Sequence, residues 1–199
     1  MRTPEPVVLA HGDVQLEPLS LAHVDDLTVA GQDPEVWRWL SVPAPASRKA
    51  MAELVETTLG DAGRVPWAVL ADGVAVGSTS YLDIDMAVGG LEVGWTWYDR
   101  ERWATELNPT CKLLLLGHAF DHLGAQRVTL KTDALNARSR QAILRLGATY
   151  DGTLRHHRLR ADGSVRDSAY FSILAGEWSA VRAGLVARLA PATTGAAGG

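Results

Sequence analysis

The stretch PWAVLADGVAVGSTSYLDIDM, residues 66–86, limits the fold of this chain more than any other. Two runs rich in β-formers flank Asp72-Gly73, a dipeptide suited to the left-handed positions of a two-residue hairpin turn. LEVGWTWYD, residues 91–99, supplies a third run. Strands that follow one another so closely pair antiparallel, so the chain departs from the strict βαβα alternation of doubly wound nucleotide-binding folds. Neither GxGxxG nor GxxxxGK[ST] occurs, which removes the dinucleotide and P-loop signatures.

The flanking segments carry their own start and stop signals. VVLAHGDVQLE, residues 7–17, reads as two short strands around a Gly-containing turn. Ser20 is placed to cap LAHVDDLTVAG, which stops at Gly31, and Asp33-Pro34 introduces EVWRWL as a further helix. Ser47 caps RKAMAELVETTLGDAG, with Met51, Leu54, Val55, Thr58 and Leu59 at its apolar positions. After the three strands, NPTCKLLLLGHAFDHLG predicts a long buried helix, capped by Asn108, with Pro109 first and Gly124 at its end. QRVTLKT is a strand and NARSRQAILRLG a helix; ATYDGTLRHHRLR and VRDSAYFSIL then flank Asp162-Gly163 as a second hairpin. Glu177 to Leu189 forms a last amphipathic helix. The order predicts one mixed α/β domain over residues 1–189, with a mostly antiparallel mixed sheet of about seven strands and helices on both faces. The small-residue stretch PATTGAAGG makes residues 190–199 an expected disordered tail.

Bulk properties narrow the function classes. At 199 residues the chain suits a single domain with a full core. No apolar run approaches the roughly 20 residues of a membrane span. The N-terminus lacks a basic region followed by a long apolar one, so a cytoplasmic protein without a membrane partner is expected. A net charge of −4 argues against general nucleic-acid binding. Cys111 is the single cysteine, which excludes an internal disulfide and a cysteine-based zinc cluster. It falls in a first helical turn, where the dipole lowers a thiol pKa, but no base neighbours it and it reads as packing. His156 and His157 are adjacent in a strand and point to opposite faces, so no metal site is expected.

Three segments, in this order and spacing, carry a resemblance: LEVGWTWY, then NPTCKLLLLGHAFDHLGAQRVTLKTDALNARSRQAILRLGA, then the Asp-Gly hairpin ending DSAYFSI. Together they resemble the GNAT superfamily of acyl-CoA-dependent N-acyltransferases over residues 12–182, nearest the branch with the bacterial ribosomal-protein N-terminal acetyltransferases. The resemblance implies that LEVGWTW and RVTLKT splay apart and that the pantetheine arm of acetyl-CoA lies between them. It also implies a pyrophosphate on backbone N–H groups at the start of the helix near Asn108, a position whose positive dipole end and unpaired donors suit an anion. The cofactor-binding set that follows is Trp97, Thr105, Glu106, Leu107, Asn108 and Lys112. The loop 103–108 departs from the family pattern: Glu106 stands at the usual glycine and Trp103 at the usual Gln or Arg. Lys112, one turn into the helix, offsets the added negative charge.

The resemblance matches Asn136 to the asparagine that hydrogen-bonds the pantetheine amides in many relatives. Ser139 lies three residues on and shares its helix face. Many relatives use a tyrosine as general acid seven residues after that asparagine; here the position is Ile143, so the Ser139 hydroxyl is the candidate donor to the departing sulfur. Arg138 and Arg140 either meet the 3′-phosphate or face water.

Acylation of an amine needs a base to take its proton and a donor for the developing oxyanion, which the family supplies from a backbone N–H on the splayed strand. Glu92 matches the family's frequent glutamate base; the alternative is a charge at a strand end. A period of two puts Glu92, Gly94, Thr96 and Tyr98 on one face and Val93, Trp95 and Trp97 on the other. Asp83 and Asp85 are further base candidates. Trp37, Trp39 and Tyr81 are expected on the acceptor side, with one of the two tryptophans packing in the core and the other forming a pocket wall. The expected activity is transfer of an acetyl group from acetyl-CoA to a primary amine, on a protein N-terminus or a small molecule. The alternatives are a non-catalytic acyl-CoA-binding or regulatory module on the same fold, and a structural domain without CoA. Homodimers are common in the family, and the residues do not decide that point.

Overall fold

Each Gly-containing turn read from the sequence closes a hairpin in the computed structural model, which describes residues 1–190. A turn at Gly12 joins β1 (Leu9–His11) to β2 (Val14–Pro18). Asp72 and Gly73, at φ 53° and 79°, join β3 (Val65–Ala71) to β4 (Val74–Asp85). Both turn residues are left-handed, which matches the twist of the paired strands. β5 (Gly90–Tyr98) completes the run, β6 (Arg127–Asp133) stands alone in sequence, and β7 (Thr149–Leu159) turns through Asp162-Gly163 into β8 (Val165–Leu174). The eight strands form one sheet in the order β1-β2-β3-β4-β5-β6-β8-β7, one strand more than expected. Among the described residues the one parallel pair is β5–β6.

Helices cover both faces because the central strands are apolar on both. β3 is buried throughout. Its Trp67, Val69 and Ala71 enter the main core with Leu115, Trp178, Val181 and Leu185 of α3 (Leu107–Gly117) and α5 (Trp178–Leu189). Its alternate residues Ala68 and Leu70 join a second core with Val24, Leu27, Met51 and Val55 of α1 (Val24–Ala30) and α2 (Arg48–Leu59). A Val, Leu or Met side chain contributes about 1.5–3 kcal/mol when fully buried. α4 (Ala137–Leu144) follows β6 and adds Ile143 to the main core.

Two helix expectations need correction. EVWRWL does not form a helix: the chain makes a single 3-10 turn, Pro34–Val36, under the Asp33 cap. Six residues are too few to nucleate a helix alone, and Trp37 instead turns into the second core, donating Nε1–H to the Gly31 carbonyl at 2.8 Å. α3 begins at Leu107, so Asn108 lies inside the helix; the Thr105 hydroxyl accepts from the Leu107 N–H. Pro109 fits there because first-turn N–H groups have no helical partner. A π-turn, His118–His122, extends α3 towards Gly124, which is left-handed at φ 73°. The expected tail over 190–199 falls, apart from Ala190, outside the described residues.

Candidate active site

The parallel pair β5–β6 makes three register pairs, Gly90–Arg127, Leu91–Val128 and Glu92–Thr129, and then separates. Beyond that point the two strands no longer pair with each other, so main-chain polar groups on their inner edges face a cleft. A cavity of about 490 Å³ fills the gap, walled by residues 92–98 of β5, Leu130–Thr132 of β6, the start of α3 and one face of α4. Unpaired strand edges of this kind suit a ligand with amide groups of its own.

A bulge shapes the β5 wall. Ser78 of β4 pairs with Trp97 and Ser80 with Gly94, so two residues, Trp95 and Thr96, oppose Thr79 alone. Trp95 is held at φ 50°, and the Arg64 guanidinium lies 4.7 Å from its ring centroid. The extra residue flips the face of everything after it. Tyr98 therefore joins Val93 in the main core, whereas Trp97 faces the second core, 4.8 Å from the Trp37 ring. The period-two face assignment made from the sequence breaks at this bulge.

Glu92 lies where the two strands part. It is 2% exposed, and the Lys131 ammonium approaches its Oε2 at 2.6 Å, an ion contact whose angle is not that of a hydrogen bond. Lys131 also contacts Asp83 at 3.2 Å. Burial pushes the Glu92 carboxyl up to about 7, and Lys131 holds it from rising further. A carboxyl poised near neutrality at the mouth of a cleft is matched to general-base work. Gly94 leaves room for that carboxyl, because a Cβ at this position would push Glu92 Oε1 and Leu82 Cδ1 out of place. Of the two other base candidates, Asp83 is exposed and tied to Lys131, and Asp85 is exposed and accepts from the Ala87 N–H.

At the other end of the cavity lies the start of α3. Thr105, Asn108 and Lys112 line it, with Asn108 Oδ1 accepting from the Tyr98 hydroxyl. Lys112 is 5% exposed, forms no ion pair among the described residues and reaches Thr96 Oγ1 at 3.4 Å. Burial lowers its pKa to about 8. Glu106 and Leu107 do not line the cavity: Glu106 is exposed and Leu107 is in the main core. The carboxylate at the usual glycine position thus points to water and not into the cleft. Trp103 packs at the rim with the Arg138 guanidinium 3.2 Å from its ring centroid and Arg100 at 4.3 Å.

α4 brings Asn136, Arg138 and Ser139 to the cavity. Asn136 caps the helix, its Oδ1 accepting from the Ser139 N–H at 3.0 Å, so its amide NH₂ remains for a ligand. Arg140 does not line the cavity; its Nη1 donates to the Ala134 carbonyl and ties α4 to the end of β6. Tyr81, expected on the acceptor side, is fully buried in the main core and its hydroxyl donates to the Leu115 carbonyl. Of the tryptophan pair, Trp37 packs in the core and Trp39 lines the cavity. Cys111 is completely buried, and burial pushes its thiol up to about 12. No group of three or more metal-ligating side chains occurs among the described residues.

The sequence reading missed Lys131, Arg158 and Arg166, all of which line the cavity. Lys131 lies two residues beyond Thr129, the register partner of Glu92, and the two arginines reach the cleft from the last hairpin. A prediction of strand pairing was needed to see them.

Comparison with known proteins agrees with this geometry. The Acetyltransferase (GNAT) domain family matches residues 13–149. A structure from T. thermophilus, described as an acetyltransferase, is 39% identical with a TM-score of 0.87, over 96% of this chain and 100% of its own. A GCN5-related N-acetyltransferase from Brucella melitensis is 28% identical, with a TM-score of 0.90 over 94% of this chain and 87% of its own. Mycobacterium smegmatis RimJ in complex with CoA-disulfide is 18% identical, with a TM-score of 0.81 over 92% of this chain and 95% of its own, a likeness of fold alone. No curated protein matches the sequence.

Proposed function

The chain belongs to the GNAT acetyltransferase family and uses acetyl-CoA, and from that premise we propose that Glu92 is the general base for acetylation of a primary amine. The acceptor is an amine on a small molecule or a protein N-terminus. The observation that carries this reading is a buried carboxyl pushed up to about 7 where the β5 and β6 strands part.

Acetyl-CoA supplies an activated acyl thioester. The free edges of β5 and β6 offer its amides hydrogen bonds, with the Asn136 NH₂ as a further donor. Lys112, Asn108 and Thr105 at the start of α3, with Arg138 at the rim, provide the positive end of the site for phosphates. Trp97 backs the cleft wall. Beyond Glu92 the β6-facing edge of β5 pairs with no strand, and its main-chain N–H groups beside the Trp95–Thr96 bulge are the candidate donors to the thioester oxygen. Glu92 accepts the amine proton, directly or through water; the N–C bond forms and the C–S bond breaks. Ser139 lines the same cavity and is the nearby hydroxyl for returning a proton to the thiolate. The exposed position of Glu106 removes the main reason to favour a non-catalytic module.

Glu92→Gln tests the reading. The substitution is expected to lower kcat about 10²- to 10⁴-fold, as loss of a general base does, while acetyl-CoA binding measured by calorimetry stays intact. Retention of wild-type kcat would overturn the assignment.

A further inference from the structure

Beyond Glu92, the acceptor end of the cavity carries a charge arrangement that acetyl transfer alone does not explain. Arg158 of β7 and Arg166 of β8 are directly opposite in the antiparallel register, and both line the cavity. Like charges at directly opposed positions destabilise a hairpin. Neither arginine forms an ion pair among the described residues, although the neighbouring cations do: Lys131 is matched by Glu92 and Asp83, and Arg160 by Asp133. The two guanidiniums thus oppose each other with no carboxylate at contact distance, where the hairpin meets the cleft, and Asp133 and Glu92 favour the Arg166 charge only from further away.

Arg166 is also held in position. Its Nε donates to Ser168 Oγ at 3.1 Å and its Nη1 to the Trp39 carbonyl at 3.3 Å, which fixes the guanidinium against the segment that forms the acceptor wall. A guanidinium has five N–H donors, so several remain for a ligand, in the fork geometry that suits carboxylate or phosphate. The positive field is felt nearby: after burial, Arg158, Lys131 and Arg166 all act to lower the His157 pKa. Overall the protein carries a net charge of −4, so this pair is a local feature. The phosphates of acetyl-CoA are provided for elsewhere, at the start of α3 and at Arg138.

We propose that the acceptor is a small amine carrying an anionic group, a carboxylate or a phosphate, which Arg158 and Arg166 bind while the amine faces Glu92. The proposal rests on the reading of Glu92 as the base at the acceptor end.

Paired acceptors test it with acetyl-CoA in excess: an α-amino acid against its carboxamide, and an amino-alcohol phosphate against the free amino alcohol. The anionic member of at least one pair is expected to have a kcat/KM about tenfold to a hundredfold higher, the value of one or two charge-assisted hydrogen bonds. The pair that shows the preference identifies the anion. Arg158→Gln is expected to shrink that preference through KM, with a Tm no lower than wild type because the like-charge opposition is gone. Arg166→Gln should do the same at some cost in Tm, since it also releases Trp39. Equal kcat/KM within both pairs overturns the proposal and leaves acetyl transfer standing. Preference for a neutral peptide N-terminus over both anionic amines overturns it in favour of a protein acceptor. If the protein binds acetyl-CoA but acetylates no amine at all, the reading of Glu92 fails, and the proposal with it.

Discussion

At the scale of single residues, two buried charges face the same cleft with opposite consequences. Glu92 holds its proton in the folded protein up to about pH 7, against an ordinary value of 4.5. Between those values the folded state binds more protons than the unfolded one, so this group's contribution to stability falls as pH rises. A shift of that size is worth on the order of 3 kcal/mol. Glu92→Gln is therefore expected to melt above wild type at pH 8, with the gap closing towards pH 4.5, even as turnover collapses. Wild-type kcat/KM should rise through about pH 7 as the base ionises. Lys112 has its pKa lowered by burial from 10.5 to about 8. Here the unfolded chain holds more protons between those values, so stability rises with pH. Lys112→Met should raise Tm at pH 7 and weaken acetyl-CoA binding about tenfold, the loss of one charge-assisted contact. Unchanged affinity would remove Lys112 from the cofactor site.

Among the elements, α4 combines two functions in one side chain. Asn136 Oδ1 caps the helix, leaving its NH₂ for a ligand. Asn136→Asp preserves the cap, since aspartate is as good a capping residue, and removes only the donor. Asn136→Ala removes both and is expected to cost about 1 kcal/mol of stability. Both variants should bind acetyl-CoA more weakly, with the Ala variant alone losing Tm; equal affinity to wild type in both would show that the side chain serves α4 only. The β5 strand makes a sharper demand beside its bulge. Gly94→Ala places a methyl group against Glu92 Oε1 and Leu82 Cδ1, so it should displace the base and lower kcat, with CoA affinity less affected. Asp72-Gly73, Asp162-Gly163 and the Ser47 cap were legible in the sequence because each is settled within four residues. The 34–36 turn was not, because the burial of Trp37 against Trp97 outweighed the local helix signal.

For the whole molecule, the sheet is the device that makes a site. Its other strand pairs knit a continuous surface, but β5 and β6 touch for three residues and then leave their edges open. Ligand bound across that opening stabilises the folded state by mass action. Acetyl-CoA at a hundred times its Kd should add about 2.7 kcal/mol, raising Tm by several degrees, whereas ADP, which lacks the pantetheine arm, should add less. Hydrogen exchange should slow on the cleft-facing amides of β5 beyond Glu92. An equal shift with ADP and acetyl-CoA would mean that the phosphate end alone is used. No helix among the described residues is long and apolar enough to cross a membrane.

The sequence alone determined what lies within a turn or a cap: the hairpins, the helix starts at Ser47 and Asn136, and the apolar run that gives β3 a core on each face. It also contained the motif order that marks the family. The tertiary structure decided everything that depends on residues distant in the chain. Pairing with β4 created the bulge that sent Trp97 and Tyr98 to opposite faces, and the start of α3 turned Glu106 outward. The approach of β6 set Lys131 against Glu92, and the register of β7 with β8 brought Arg158 opposite Arg166. Local signals are decided by a few neighbouring torsions, whereas a buried charge takes its properties from whatever the rest of the fold brings beside it.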